Sequence, residues 1–352
     1  MEHPGVVLNQ KLKECRMRQS ELALRTGVSE KHISTVVNGQ KPISVAFAQK
    51  LGYVFESTSF WLKLQADYDQ EKLLRKEESA ITSRELDALQ PLQDFIEYFT
   101  ERGDLKKDIS NTEKVMQLRK ILRVSNLMAI SEITHDFEYR FQLSSNVRID
   151  PYIMFAWQRL CEMEAEKVKV DQPFDIAMLY KKTHDIKQLI FTEQDELLEK
   201  LQSLFSSCGV AFQVVRSFRG APARGFAKMT GNKKLLFCIT VPHQRADTFW
   251  YILFHELAHI LNSDLGYFHY VDFDSTHDKN EVRADEFAWN TLVPSDISRR
   301  FVASTKQITW TDVERLAKEA EVIPCIALYK VQSDGLLDWT EYPEKAMKYS
   351  WL

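Results

Sequence analysis

Residues 249–261 have the sequence Phe-Trp-Tyr-Ile-Leu-Phe-His-Glu-Leu-Ala-His-Ile-Leu, an apolar run that contains His255, Glu256 and His259. Residues four apart lie on the same face of an α-helix, so both imidazoles could bind one metal ion while Glu256 stands beside it. This His-Glu-x-x-His spacing is typical of zinc hydrolases. In a chain with nine histidines the spacing also arises by chance, so a third ligand is required.

The third ligand is predicted on the next helical segment. Glu281 and Asp285 would share one polar face, and helical spacing also relates the apolar residues that follow: Phe287, Ala288, Trp289, Leu292 and Val293. We expect Glu281 to complete a two-histidine, one-glutamate set, which leaves a fourth position open for water or a substrate carbonyl. Asp285 would then orient a ligand histidine. The alternative is that these are solvated or hydrogen-bonded polar groups on two ordinary helices.

About residues 195–300 resemble the ImmA/IrrE metallopeptidase family. The resemblance is carried by the sequence HELAHIL from His255, by Glu281, Ala284, Asp285, Phe287 and Ala288, and by Leu292-Val293-Pro294. It implies a zincin-like, thermolysin-related domain of a soluble bacterial protein that cleaves or inactivates transcriptional repressors. Arg283 stands where family members often carry Glu, but the positions that metal binding requires are intact.

The chain of 352 residues is long enough for two or three domains. Its 44% hydrophobic and 27% charged content is ordinary for a globular protein, and no stretch has the length and apolarity of a membrane-spanning helix. The start, Met1-Glu2-His3-Pro4, lacks the apolar core of a signal peptide, so we expect a cytoplasmic protein with no membrane partner. The five cysteines are odd in number and form no CxxC pair, which predicts reduced, buried thiols.

Charge is distributed unevenly along the chain. Residues 1–50 hold eight Lys or Arg against four Asp or Glu, a balance of +4. Because the whole chain carries −4, the remainder carries −8. A basic N-terminal part on an acidic body predicts a nucleic-acid partner for that part.

Residues Gln19–Gly39 are predicted to form two short helices around a tight turn, a helix-turn-helix. Gly27 suits the turn, Ser29 the N-cap of the second helix and Gly39 its C-terminal stop. We expect side chains near the start of this second helix to contact double-stranded DNA. They are those of Ser29, Glu30, Lys31, Ser34 and Thr35. A plain helical hairpin with a solvated face is the alternative.

About residues 3–76 resemble the HigA-type antitoxins of the XRE helix-turn-helix group. The resemblance is carried by His3-Pro4-Gly5, the helix-turn-helix, Lys41-Pro42-Ile43-Ser44 and the run Phe60–Asp69. It implies a five-helix domain in which Gln19 holds a phosphate and Glu30, Lys31 and Thr35 contact bases. It also implies a homodimer that binds a palindromic operator and represses its own operon, in some systems beside a toxin that degrades messenger RNA.

The rest of the chain completes a predicted α+β fold that is mostly α. Residues 209–215, 224–229 and 234–241 predict three short strands ahead of the metal helix, and an edge of such a sheet could seat an extended peptide. The expected domains are residues 1–78 (helix-turn-helix), 79–195 (helical bridge), 196–300 (metallopeptidase) and 301–352 (helical cap).

A loop between the predicted ligands, Leu265–Tyr270, adds two candidates. Tyr267 and His269 offer a phenol and an imidazole that could stabilise an oxyanion or touch substrate, and His277 follows further on. Solvated loop residues are the alternative, since a lone loop histidine is more often solvated than functional.

Two functions fit these features. The first is a cytoplasmic DNA-binding regulator with a zinc endopeptidase domain, in which Glu256 takes a proton from the attacking water and returns it to the leaving amine. By the family resemblance, the peptidase would act on another regulator or on the protein's own repressor function. The second is an antitoxin or autorepressor with a cognate toxin, in which Zn²⁺ is structural or sensory and no turnover occurs. An intact Glu256 favours the first.

Overall fold

The computed structural model describes residues 2–134, 150–221, 223–262, 279–305 and 307–350. The chain divides into two compact units: Met1–Leu86 with Ile109–Met116, and Asp87–Asp108 with Gln117–Leu352. The structure is 63% helical and has a small three-stranded sheet, which confirms the predicted α+β, mostly α class. The division into four domains stays a prediction.

Five helices build most of the first unit: α1 (Pro4–Glu14), α2 (Gln19–Thr26), α3 (Glu30–Val37), α4 (Val45–Leu51) and α5 (Thr58–Ser79). Their apolar faces enclose a core that includes Leu8, Leu22, Ile33, Phe47 and Trp61. Ser29, Ser44 and Ser57 each accept a hydrogen bond from the backbone N–H three residues ahead, which fixes where α3, α4 and α5 begin.

The further helices before the sheet whose bounds lie within the described residues are α6 (Ser83–Asp87), α7 (Gln93–Glu101), α8 (Asn111–Leu122), α9 (Pro151–Glu166), α10 (Ile176–Gln188) and α11 (Gln194–Ser206). Asp150 caps α9 by accepting from the N–H groups of Tyr152 and Ile153. The buried Trp157 ties α9 to the end of the sheet, because its Nε1 donates to Thr240 Oγ1 at 3.0 Å.

The sheet has the strand order β1–β3–β2, with β1 (Val210–Val214), β2 (Gly225–Met229) and β3 (Leu235–Ile239). β1 is parallel to β3, and β2 is antiparallel to it with Gly225 opposite Ile239. β3 is the central strand and is buried throughout, as its run of apolar residues requires. All three predicted strands are present.

The helix α12 (Ala246–Leu261) follows the sheet and is buried almost along its whole length. A C-terminal segment holds its beginning: Ala246 N–H donates to Met347 O, and Tyr349 N–H donates to Gln244 O, each at 2.9 Å. The Trp250 indole also donates to the Tyr349 hydroxyl at 2.9 Å. The segment is therefore part of the structure that positions α12.

Four helices complete the described chain: α13 (Lys279–Leu292), α14 (Ser295–Ser304), α15 (Trp310–Ala320) and α16 (Pro324–Ser333). No helix among the described residues is long and apolar enough to cross a membrane. All five cysteines are free, as expected, but Cys15 is exposed. The expectation of burial was wrong there, because Cys15 follows the last turn of α1, on the surface of the first unit.

Candidate metal centre and DNA-binding surface

His255 and His259 lie one turn apart on α12 with their Nε2 atoms 3.2 Å from each other. Both are buried, His259 completely. Their helix is fixed by apolar packing on its other faces, against β2, β3, α13 and α16. The two imidazoles are thus held side by side by the hydrophobic core.

Glu281, in the first turn of α13, brings its carboxylate to the two histidines. Its Oε2 is 3.1 Å from His255 Nε2, and its Oε1 is 3.4 Å from His259 Nε2. Among the described residues, these three side chains form the group whose ligand atoms are close enough together to hold a metal ion. The structure therefore brings together the three ligands predicted from the sequence.

The spacing of these atoms fits a tetrahedral ion. Donor atoms about 2.0–2.1 Å from a tetrahedral zinc ion stand about 3.3 Å from one another. Here the two Nε2 atoms are 3.2 Å apart, and each histidine is close to one oxygen of the Glu281 carboxylate, His255 to Oε2 at 3.1 Å and His259 to Oε1 at 3.4 Å. Two imidazole nitrogens and one carboxylate are also a donor set that zinc accepts, so the residues present fit the ion.

Asp285, one turn after Glu281, lies on the other side of the first histidine. Its Oδ1 is 2.7 Å from His255 Nδ1 and accepts a hydrogen bond of 2.5 Å from the hydroxyl of Tyr251. A carboxylate that accepts a hydrogen bond from Nδ1 fixes the orientation of the ring, so that Nε2 is free to bind a metal ion. Tyr251 was not anticipated as a site residue, although it stands one turn before His255 on the same helix.

The charges of the site follow from these contacts. Burial alone would lower the pKa of His255, but hydrogen bonds with Asp285 and Glu281 outweigh it and raise the pKa to about 9. Burial would raise the pKa of Glu281, but hydrogen bonds with both histidines lower it to about 2. Glu281 is thus ionised at neutral pH, as a metal ligand must be.

Glu256 is buried beside the ligands, and its carboxylate lies against the backbone of Gly225 at the start of β2. A Cβ atom at residue 225 would stand 2.0 Å from Glu256 Oε2 and 2.1 Å from its Cδ. Burial raises the pKa of Glu256 to about 7, against the opposing effect of the two histidines. Sequence analysis missed Gly225. Its signal was a glycine at the start of a predicted strand, where close approach of another group is one explanation.

The predicted loop candidates Tyr267 and His269, and the nearby His277, lie outside the described residues.

A second group of predicted residues lies in the first unit, on α2 and α3. Gly27 adopts φ of 62° between the two helices, and Ser29 Oγ accepts from His32 N–H at 3.3 Å. This is the expected helix-turn-helix geometry. Gln19 is the first residue of α2, at the end where helix N–H groups are available to a phosphate.

The outward side chains of α3 differ in how free they are to contact a ligand. Glu30 and Lys31 are exposed in its first turn. Thr35 Oγ1 donates to His32 O at 2.7 Å, and Asn38 Nδ2 donates to Ser34 Oγ at 3.4 Å, so both hydroxyls already have a partner within the helix. Lys31 is thus the most available cation of this surface.

Comparison with known proteins gives limited matches. No family model matches the chain. The chain is 35% identical over 69 residues to the "Virulence-associated protein A'" of Dichelobacter nodosus, and the match covers 19% of this chain and 60% of that protein. The chain therefore spans about 60% of the length of this relative.

A solved structure, titled as an addiction module antidote protein of a HigA family from Coxiella burnetii, is 29% identical; the match covers 23% of this chain and 95% of that chain, with a TM-score of 0.22. The sequence match to the Dichelobacter nodosus protein supports the similarity of the N-terminal helix-turn-helix region to that protein. The resemblance of residues 195–300 to the ImmA/IrrE family stays a prediction.

Proposed function

We propose that this protein is a DNA-binding transcriptional regulator with a zinc-dependent endopeptidase domain that cleaves a regulatory protein. The observation that carries the proposal is the placement of Glu256. Its buried carboxylate stands on the helix that supplies His255 and His259, next to a three-residue group that fits zinc. Structural zinc sites are usually closed by four protein ligands, whereas three ligands leave a position open for water or substrate, and Glu256 stands beside that set without belonging to it.

His255, His259 and Glu281 would hold the ion, with Asp285 orienting the first histidine. When bound, zinc polarises a carbonyl and lowers the pKa of a water toward neutrality. Glu256 would accept the proton of the attacking water and later return it to the leaving amine, a role best served by a base whose pKa is near the working pH. Gly225 leaves the space that this carboxylate occupies.

The sheet offers a way to bind the substrate chain. Among the described residues β2 pairs with β3 alone, so β2 forms an edge of the sheet. A peptide added along this edge would have its backbone next to Gly225, and hence next to Glu256. Main-chain hydrogen bonds of this kind need no particular sequence, which suits an enzyme acting on a folded regulator with one exposed segment.

The DNA-binding half of the proposal is supported by three observations: the helix-turn-helix formed by α2 and α3, the +4 balance of residues 1–50, and the similarity of the N-terminal region to other proteins. We propose that this unit binds a palindromic operator as a homodimer. Gln19 would contact a phosphate, and Glu30, Lys31 and Thr35 would contact bases.

One observation favours the second function, an antitoxin or autorepressor, with a cognate toxin, whose zinc is structural or sensory. His255, Glu256 and His259 are all at most 3% exposed. A metal site so enclosed could stabilise the fold or sense zinc without admitting a peptide. In that case the glutamate would be dispensable for regulation.

The two functions are separated by Glu256→Gln, which removes the proton acceptor and keeps the shape of the side chain. Cells expressing wild-type or variant protein would be compared by mass spectrometry of newly formed protein N-termini. A peptidase predicts at least one regulatory protein that is cut in wild-type cells and intact in the variant, with equal zinc content in both proteins. Identical N-terminal profiles, under conditions in which the regulated operon responds normally in both strains, would leave only the antitoxin function.

A further inference from the structure

A cleft of about 750 Å³ runs along one face of α13 and includes one predicted metal ligand, Glu281, in its lining. Glu281 and Asp285 line one end, and the same face continues through Trp289 to Val293. At about 1.5 Å of rise per residue, the helix from Glu281 to its end at Leu292 is about 16 Å long, the length of roughly five extended residues. The cleft has the size and length to hold a short peptide segment.

The middle of the cleft is an aromatic surface that is already fixed in place. The ring of Trp289 packs against Tyr251 at 4.8 Å and against Tyr329 at 5.6 Å, measured between ring centroids. Val282, two turns earlier on the same helix and also part of the lining, is 44% exposed. A preformed aromatic surface of this type binds apolar side chains, because binding removes apolar area from water and the tryptophan ring loses little conformational freedom.

Two cations line the cleft beyond the tryptophan. Lys330 Nζ lies 5.0 Å from the centroid of the Trp289 ring and donates to Asp334 at 2.5 Å. Arg299, on α14, uses its Nε to bond Ser295 O and has no carboxylate partner among the residues that the structure describes. Arg299 therefore offers a guanidinium with donors directed at no acidic group of the described chain.

The acidic residues at the metal end are already engaged. Glu281 faces the two histidines, and Asp285 faces His255 and Tyr251. Glu286 is the remaining carboxylate of the lining and is exposed on α13. The charge available to a ligand is therefore negative near Glu286 and positive near Arg299, because Lys330 already pairs with Asp334.

We propose that this cleft is a substrate subsite that selects an acidic peptide segment, with an apolar side chain over Trp289 and an Asp or Glu side chain at Arg299. The inference rests on the proposed endopeptidase function, because it is that activity which places a peptide at Glu281. It adds a substrate class: a protein whose cleaved segment carries a carboxylate a few residues from an apolar side chain.

The test uses a pool of N-acetylated, C-amidated octapeptides in which each position carries Leu, Phe, Glu, Gln or Lys. The pool is passed over immobilised, zinc-loaded, full-length protein with the Glu256→Gln substitution, and separately digested with the wild type. Retained and cleaved peptides are identified by mass spectrometry. The test variant is Arg299→Gln. The matched control is Arg300→Gln, on the same helix, whose side chain pairs with Asp296 at 2.7 Å and does not line the cleft.

We expect retained and cleaved peptides to be enriched in Glu over Gln at a fixed distance from Leu or Phe. For a partly exposed ion pair the enrichment should be roughly two- to fivefold. It should disappear in Arg299→Gln and persist in Arg300→Gln, while Glu286→Gln should increase it. Zinc content should not change in any variant.

The subsite would be refuted, even if peptides are cut, by either of two results. In the first, Glu is not enriched over Gln without the Arg299 substitution; in the second, the enrichment is unchanged in Arg299→Gln. Cleavage of no peptide by the wild type, with acidic peptides still retained through Arg299, would refute the peptidase and leave an acidic-peptide binding site. If the wild type cleaves no peptide and the Glu256→Gln protein retains none, both the subsite and the peptidase function are refuted.

Discussion

Gly225 and Glu256 are in direct contact: the position of a Cβ on the glycine lies 2.0 Å from the carboxylate oxygen Oε2. One belongs to the edge strand of the sheet and the other to the helix that carries two metal ligands. The strand thus sets where the carboxylate stands.

Gly225→Ala should therefore move the Glu256 carboxylate and leave the ligands in place. We expect peptide cleavage to fall by about a hundredfold or more, the usual contribution of a general base, with zinc content unchanged. Gly231→Ala is the matched control, since a Cβ there meets no atom within 4 Å. Equal cleavage rates for the two alanine variants would show that the contact does not matter for catalysis.

Removing a ligand should empty the metal centre. His259→Ala and Glu281→Ala each leave two of three protein ligands, so we expect elemental analysis of the purified variants to show little or no zinc. Glu286→Ala, on the same helix as Glu281 but outside the ligand group, should keep one zinc per chain. Full zinc occupancy in both ligand variants would disprove the assignment.

Tyr251 and Asp285 should tune how tightly the metal is held. Loss of a carboxylate behind a ligand histidine weakens metal binding by about 10- to 100-fold, which we expect for Asp285→Asn. Tyr251→Phe removes only the donor to Asp285 and should weaken zinc binding less, by up to about tenfold. Competition with a chromogenic chelator measures both. Tyr329→Phe, in the same aromatic cluster, serves as the control and should bind zinc as the wild type does.

Lys31→Ala and Thr35→Ala should each weaken operator binding by roughly 1–3 kcal/mol, because each substitution removes a side chain that would touch a base edge. Gln19→Ala should instead weaken binding to every duplex, because a phosphate contact carries no sequence information. Fluorescence anisotropy with operator and scrambled duplexes at several salt concentrations distinguishes these effects. Lys63→Ala, an exposed lysine on α5, should change little. A wild type that binds operator and scrambled duplexes equally would rule out sequence recognition.

Local spacing predicted which side chains of α12 come together and where the two helices of the helix-turn-helix lie; zinc binding and DNA contacts by these residues stay predictions. His255 and His259 are related by one helical turn, and Ser29 caps its own helix, so short-range geometry sufficed for both. Contacts between distant segments could not be predicted in this way. The approach of Gly225 to Glu256 depends on how the sheet packs on α12, and the cleft depends on where α14 and α16 place Arg299 and Lys330.

The burial of α12 in the hydrophobic core has a consequence for the proposed zinc centre. Because apolar packing and the C-terminal segment hold both histidines, the receptor for zinc exists before the ion arrives, unlike small domains that fold only around it. Ion binding then costs little conformational entropy. We therefore expect that zinc bound at the proposed centre would be stripped by a chelator and reloaded without a refolding step, so that occupancy would follow the free zinc level of its surroundings reversibly.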